Sequence, residues 1–305
     1  MNSSSNVIPR PQVNTPGEIP PSRRLYWSVR RELWENRYIY VAPLAFAAIY
    51  LFAFLIGTIT LPQRMHAIFA LDPGRQHDQL EQPYILAAGL IMVATFIVGV
   101  FYCLEVLQGE RRDRSILFWK SLPVSDSITV LSKMSIPMVV LPLLTFAIML
   151  TTHLIMLLLS VAVVLASGMS VTVYWSQLSL FHLSMLLIYH FVTVHVIWYA
   201  PIYAWLLLVS AWARRVALLW AVLPLVVIGV IERIAFDSSH FVRMVMDRLS
   251  GASEGASMTR GASMDMMLAV DLGKYLSSPG LWIGTALAAA FIAAAVRLRR
   301  NREPI

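Results

Sequence analysis

From Met134 to Ala213 the chain runs 80 residues without a single Asp, Glu, Lys or Arg. A soluble domain carries about 25% charged residues, so a water-facing stretch of that length would hold about 20. A helix needs only about 20 apolar residues to cross the hydrocarbon of a bilayer. The run is too long for one crossing, and Ser167-Gly168-Met169-Ser170 interrupts it with turn-forming residues. It therefore reads as two long membrane helices around a short loop. The whole chain, 58% hydrophobic and 13% charged, has too few polar groups to cover a soluble surface and too many apolar ones for disorder.

Gaps between charged residues locate the other crossings. There are 26 uncharged residues between Arg37 and Arg64, 23 between Glu81 and Glu105, 16 from Val216 to Ile231, and 22 from Tyr275 to Val296. The expected fold is all-α and polytopic, with six transmembrane helices at roughly 38–62, 84–107, 135–165, 179–210, 216–236 and 276–297. Residues 1–21 are polar and rich in proline (Pro9, Pro11, Pro16, Pro20, Pro21) and read as a disordered tail. They lack the apolar core of a signal peptide, so the first hydrophobic segment is expected to be a retained span.

The formal charge of +7 needs a cause. Nucleic-acid binding would cluster the cations on a water-exposed domain, whereas here they flank apolar runs. With six spans, 17 of the 24 Lys+Arg fall on the side holding the N-terminus, the loops near 105–135 and 210–216, and the tail 298–305; seven fall opposite. The positive-inside rule makes the richer side cytoplasmic. Five spans would strand the Arg297–Arg302 cluster outside. The single Cys103 permits no intrachain disulfide.

Two segments outside the spans carry pattern. In 22–37, Leu25, Val29 and Leu33 recur every fourth residue beside Tyr26, Trp27 and Trp34, with Ser22 as a candidate N-cap. Arg23, Arg24, Trp27, Arg30, Arg31 and Trp34 suit an amphipathic helix in the cytoplasmic interface, or simply a positive anchor for the first span. The loop 108–133 opens with charges from Glu110 to Arg114, continues with the apolar run Ile116 to Trp119, and breaks at Leu122-Pro123-Val124-Ser125. Pro123 caps or interrupts a helix. An apolar face on a cytoplasmic loop has to be covered by lipid, by the chain itself or by a partner.

The run Glu110-Arg111-Arg112-Asp113-Arg114-Ser115-Ile116-Leu117-Phe118-Trp119-Lys120-Ser121-Leu122-Pro123-Val124-Ser125, closed by Leu131-Ser132-Lys133, resembles the signature loop of type-2 ABC-exporter permeases. That loop commonly reads Glu-Arg-Glu-x-Gly-Thr, a few leucines, Leu-Pro-(Val/Ile)-Ser, and a Lys about eight residues on. Arg114 stands where the family usually has Gly, and Ser115 where it has Thr. The resemblance implies a multi-pass permease subunit of a bacterial inner membrane whose cytoplasmic coupling helix seats in a separate ABC ATP-binding subunit. ATP and Mg would belong to that partner, with no cofactor on this chain, and a second permease chain would complete the pathway. It further implies docking contacts from Glu110, Arg111, Arg112, Arg114, Ser115, Phe118, Trp119, Leu122, Pro123, Ser125 and Lys133.

The resemblance also implies that the segment 237–275, external by topology, forms short re-entrant helices capping the pathway. Its first part, Ser239 to Leu249, reads as a short amphipathic helix, and Gly-Ala-Ser repeats follow at Gly251, Gly255 and Gly261. Glu232 and Arg233, at the outer face, are expected either to pair or to mark a helix end in water. His153, His182, His190 and His195 lie inside spans, where ionisable groups are candidates for function. Span four offers no carboxylate to build a metal site with them, so hydrogen bonding within the bundle is the expectation. The chain contains no Gly-x-x-x-x-Gly-Lys-(Ser/Thr) and no His-Glu-x-x-His. A secondary transporter and a multispan membrane enzyme remain the rival readings, although no internal repeat or catalytic constellation speaks for either.

Overall fold

The computed structural model describes residues 20–113, 125–168, 184–185, 187–188, 191–250 and 276–301. Arg114, Ser115, Phe118, Trp119, Leu122, Pro123, His182, His190 and the Gly-Ala-Ser repeats fall outside them. Among the described residues the fold is all-helical, and six helices are long and apolar enough to cross a membrane. The protein is a multi-pass membrane protein.

Helix α1, Pro21–Glu35, begins at a proline whose missing N–H costs nothing in a first turn. Pro20 holds the extended cap position and its carbonyl accepts from Arg23 and Arg24. Ser22 is therefore not the cap expected from the sequence, because Pro21 sets the helical φ one residue earlier. Helix α2, Tyr38–Gly57, carries Pro43 and continues through the tight turn Thr58–Thr60 into α3, Leu61–Phe69.

Helix α4, Pro73–Arg112, has 40 residues and extends far beyond the expected 84–107. At 1.5 Å per residue it measures about 60 Å, roughly twice the hydrocarbon thickness, so it overshoots the bilayer. The apolar pattern marks only the part that lipid touches. Helix α5, Asp126–Ser135, starts at Ser125, whose hydroxyl accepts from the Ile128 N–H at 3.3 Å. It widens into a π-turn at Ile136–Val140, containing Pro137, and continues as α6, Leu141–Ala166. Gly168 then turns with φ +70°, a backbone conformation that glycine adopts without penalty.

The fourth span joins a π-helical segment, Phe191–Trp198, to α7, Ala200–Trp212. Helix α8, Ala217–Phe236, leads to the short α9, His240–Ser250, and α10, Pro279–Asn301, is the last span. The main core gathers Tyr102 and Leu107 of α4, Val130 of α5, Tyr203 and Leu207 of α7, and Ala288 and Ala295 of α10. Small side chains at Ala204, Ala288 and Ala295 let α7 and α10 pack closely. Gly99 does the same for α4 against Tyr203, since an added Cβ would lie 3.0 Å from that ring. Helices α2 and α8 leave most of their apolar side chains outward, toward lipid.

Candidate functional site

Charged side chains from four helices converge at one end of the bundle. Glu32 lies on α1 at i+7 from Leu25, on the same stripe as Val29 and Leu33, and is fully buried. Lys133, near the end of α5, is 1% exposed. Its Nζ sits 2.7 Å from Glu32 Oε1 and 2.9 Å from Glu110 Oε1. Arg299 of α10 donates to the other oxygen of Glu110 and, through Nε at 3.1 Å, to Asp126 Oδ1. Arg31 Nη2 lies 2.8 Å from Glu32 Oε1 and 3.6 Å from Glu110 Oε1. The Tyr102 hydroxyl donates to Glu32 Oε2 at 3.0 Å.

Three cations, Arg31, Lys133 and Arg299, thus face three carboxylates, Glu32, Glu110 and Asp126. Isolated buried charges are expensive, and only close pairing with further hydrogen bonds offsets their desolvation. The Glu32 carboxyl shows the contest: burial pushes its pKa up, but Lys133 and Arg31 together hold it below the ordinary value. Such a network adds little net stability over an apolar core of the same shape. It does define one register, since any slip of a helix leaves a buried charge unpaired.

The network takes side chains from both flanks of the motif segment. Glu110 is three residues before Asp113, the last described residue ahead of 114–124; Asp126 and Lys133 follow that stretch on α5. Both ends of the loop are therefore anchored in one charge cluster, together with α1 and α10.

Several residues expected at a docking surface point inward instead. Glu110 and Lys133 belong to the network, and Arg111 is 5% exposed. The Arg111 guanidinium donates to the carbonyls of Ala211 and Ala213 at 2.9 and 3.3 Å, capping the end of α7. Beside it, the Ser210 hydroxyl accepts from the Leu107 and Gln108 N–H groups at 3.1 and 3.0 Å. Ser125 serves as a helix cap. Arg112 and Asp113 do reach the surface, paired at 3.3 Å and each 66% exposed. The inward turn follows from position: consecutive residues on α4 point about 100° apart, so Arg111 meets the end of α7 while Glu110 meets Lys133 of α5 and Arg299 of α10.

On α1, Arg23, Trp27 and Trp34 are exposed, and the Arg30 guanidinium lies 5.1 and 4.8 Å from the Trp27 and Trp34 rings. Arg24 is half-buried, and Arg31 turns to the network. Sequence reasoning missed Glu32, Asp126 and Arg299. Glu32 left a signal, a carboxylate on an otherwise apolar helical stripe; Arg299 left none, being one of four arginines in a basic tail.

At the opposite end, Glu232 caps α9. Its Oε1 accepts from the Ser238 hydroxyl at 2.7 Å and the His240 N–H at 2.8 Å, and its Oε2 from the Phe241 N–H at 2.9 Å. Arg233 pairs with Asp237 at 3.2 Å rather than with Glu232, because adjacent helical positions do not face each other. Within the bundle, His153 Nε2 lies 3.0 Å from the Tyr84 carbonyl, and His195 packs between Phe191 and Tyr199 at 4.9 and 5.3 Å. Among the described residues no three His, Cys, Asp or Glu side chains are grouped to hold a metal. Comparison with protein-family models, curated proteins and solved structures finds no match to this chain.

Proposed function

We propose that this chain is the membrane-spanning permease subunit of an ATP-driven exporter of the type-2 ABC class. The observation that carries the reading is the position of the motif loop: the helices entering and leaving 114–124 are both anchored by Glu110, Asp126 and Lys133 in one buried charge network. A push on the loop would reach α1, α4, α5 and α10 together, because those helices share the same pairs. The partner is a separate ABC ATP-binding subunit that supplies ATP and Mg. A second permease chain, identical or related, completes the pathway, and both termini face the cytoplasm, where 17 of the 24 cations lie.

The test is copurification of the tagged full-length chain from its native membrane, with ATPase activity as second readout. The expected result is a stoichiometric ATP-binding chain that is lost with Phe118→Ala, Trp119→Ala or Arg112→Glu. Recovery of the chain without any nucleotide-binding protein, or an intact complex with unchanged ATPase activity in all three variants, overturns the proposal. A protein that transports ions or substrate alone in proteoliposomes would instead be a secondary transporter.

A further inference from the structure

Helix α9 turns back from the end of α8 and brings a cation, Arg248, against the first turns of the last span. Along α10, Gly284 is 15 residues from Arg299 of the charge network, about 22 Å of helix, and the hydrocarbon core is about 30 Å thick. Arg248 lies beside Gly284. Its Nη1 donates to the Gly280 carbonyl at 3.0 Å, and its guanidinium carbon stands 4.1 Å from the centre of the Trp198 ring. A Cβ added at Gly284 would run into Arg248 Nη2. The guanidinium therefore fills the space that any other side chain at 284 would occupy.

Apolar packing against the rest of the chain does little to hold α9 in this position. None of its residues is buried, and Val242, Met244, Met246 and Leu249 are exposed. What fastens it is a few specific contacts. The Tyr199 hydroxyl donates to the Leu249 carbonyl at 3.2 Å, Val242 packs on Gly229, and Arg248 enters the notch between the fourth span and α10. Trp198 closes the π-helical segment and Tyr199 follows it, so the residues that receive α9 sit where the regular helix is interrupted. Such interruptions are frequent at functional sites. An arginine at membrane depth is costly unless its partners compensate it, and here stacking and a carbonyl do so only while α9 stays folded back.

We propose that Arg248 is a latch: held on Trp198 and Gly280 in the notch at Gly284, it fastens α9 as a detachable lid over the far end of the bundle. Removing the charge and filling the notch should release the lid equally, although they alter different helices. If the exporter reading holds, the lid belongs to the far gate, but the latch does not depend on an ATP-binding partner.

Hydrogen exchange measured on the full chain in lipid nanodiscs tests this. Arg248→Met and Gly284→Val should each raise exchange at residues 240–250 by about tenfold or more, with α6 unchanged. Arg248→Lys should fall between, since an ammonium lacks the planar stacking surface. Gly57→Ala in α2, whose added Cβ meets nothing within 4 Å, should behave as the unaltered protein. Unchanged exchange in α9 for Arg248→Met and Gly284→Val overturns the proposal. So does a rise spread equally through α6, which would make Arg248 a general packing residue.

Discussion

Lys133 and Glu32 are 101 positions apart in the chain, yet their charged atoms meet at 2.7 Å with both side chains 1% exposed. The pair ties α1, which precedes every span, to the helix that enters the third. An amphipathic helix anchored only by lipid could slide along the interface. This one is held in place by a charge that cannot be left alone.

Lys133→Met should destabilise the protein by about 3–5 kcal/mol, since it leaves Glu32 and Glu110 without their shared cation. The pair Lys133→Met with Glu32→Gln should cost less than the sum of the two changes, because the residues are in direct contact. Thermal unfolding of the four proteins in detergent gives the cycle. Additive losses would mean that the two side chains do not interact.

Glu32 also sets an acid limit. Its folded-state pKa lies below the ordinary 4.5, so its contribution is complete above that value and is lost as pH falls through the lower one. The expected outcome is a Glu32→Gln variant weaker than the unaltered protein at pH 7, with the gap closing below about pH 4.5. Glu35, pushed upward mainly by partial desolvation, has the opposite sign, so Glu35→Gln should make the acid loss steeper. Melting temperature against pH checks both.

Ser210 is a single hydroxyl serving two main-chain donors of another helix. Ser210→Ala removes the second acceptor that the Leu107 and Gln108 N–H groups have beyond their own helix, at about 1 kcal/mol. Ser210→Thr keeps the oxygen and should recover part of the loss. Faster hydrogen exchange confined to residues near 107–108 is the local signature.

The Thr95 and Thr145 hydroxyls meet at 2.8 Å between α4 and α6, but each also reaches a carbonyl of its own helix, Ile91 and Leu141. Thr145→Val should therefore cost only about 0.6 kcal/mol, the average for such interhelical bonds in membranes. A loss several times larger would show that the pair, rather than close packing, holds these helices together.

The helical class and the crossings were legible because hydrocarbon imposes a simple rule: about 20 uncharged residues for each helix. The same rule hid the true length of α4, since its ends beyond the lipid follow no such pattern. In the motif loop the charges were legible as charges, and their destination was not. Glu110 and Arg111 stand next to each other in a run that looks uniformly exposed, yet one joins a four-helix network and the other caps α7. Asp126 was hidden as an ordinary first-turn acid, and Arg248 as one cation in a short amphipathic helix.

The sequence alone determined that this is a helical membrane protein with six crossings, because the cost of a charge in lipid is local and can be read one segment at a time. Only the tertiary structure decided which charges are buried, because a buried charge is tolerated where its counterion arrives, and for Glu32, Glu110, Asp126, Lys133 and Arg299 the partners come from helices up to 189 positions away.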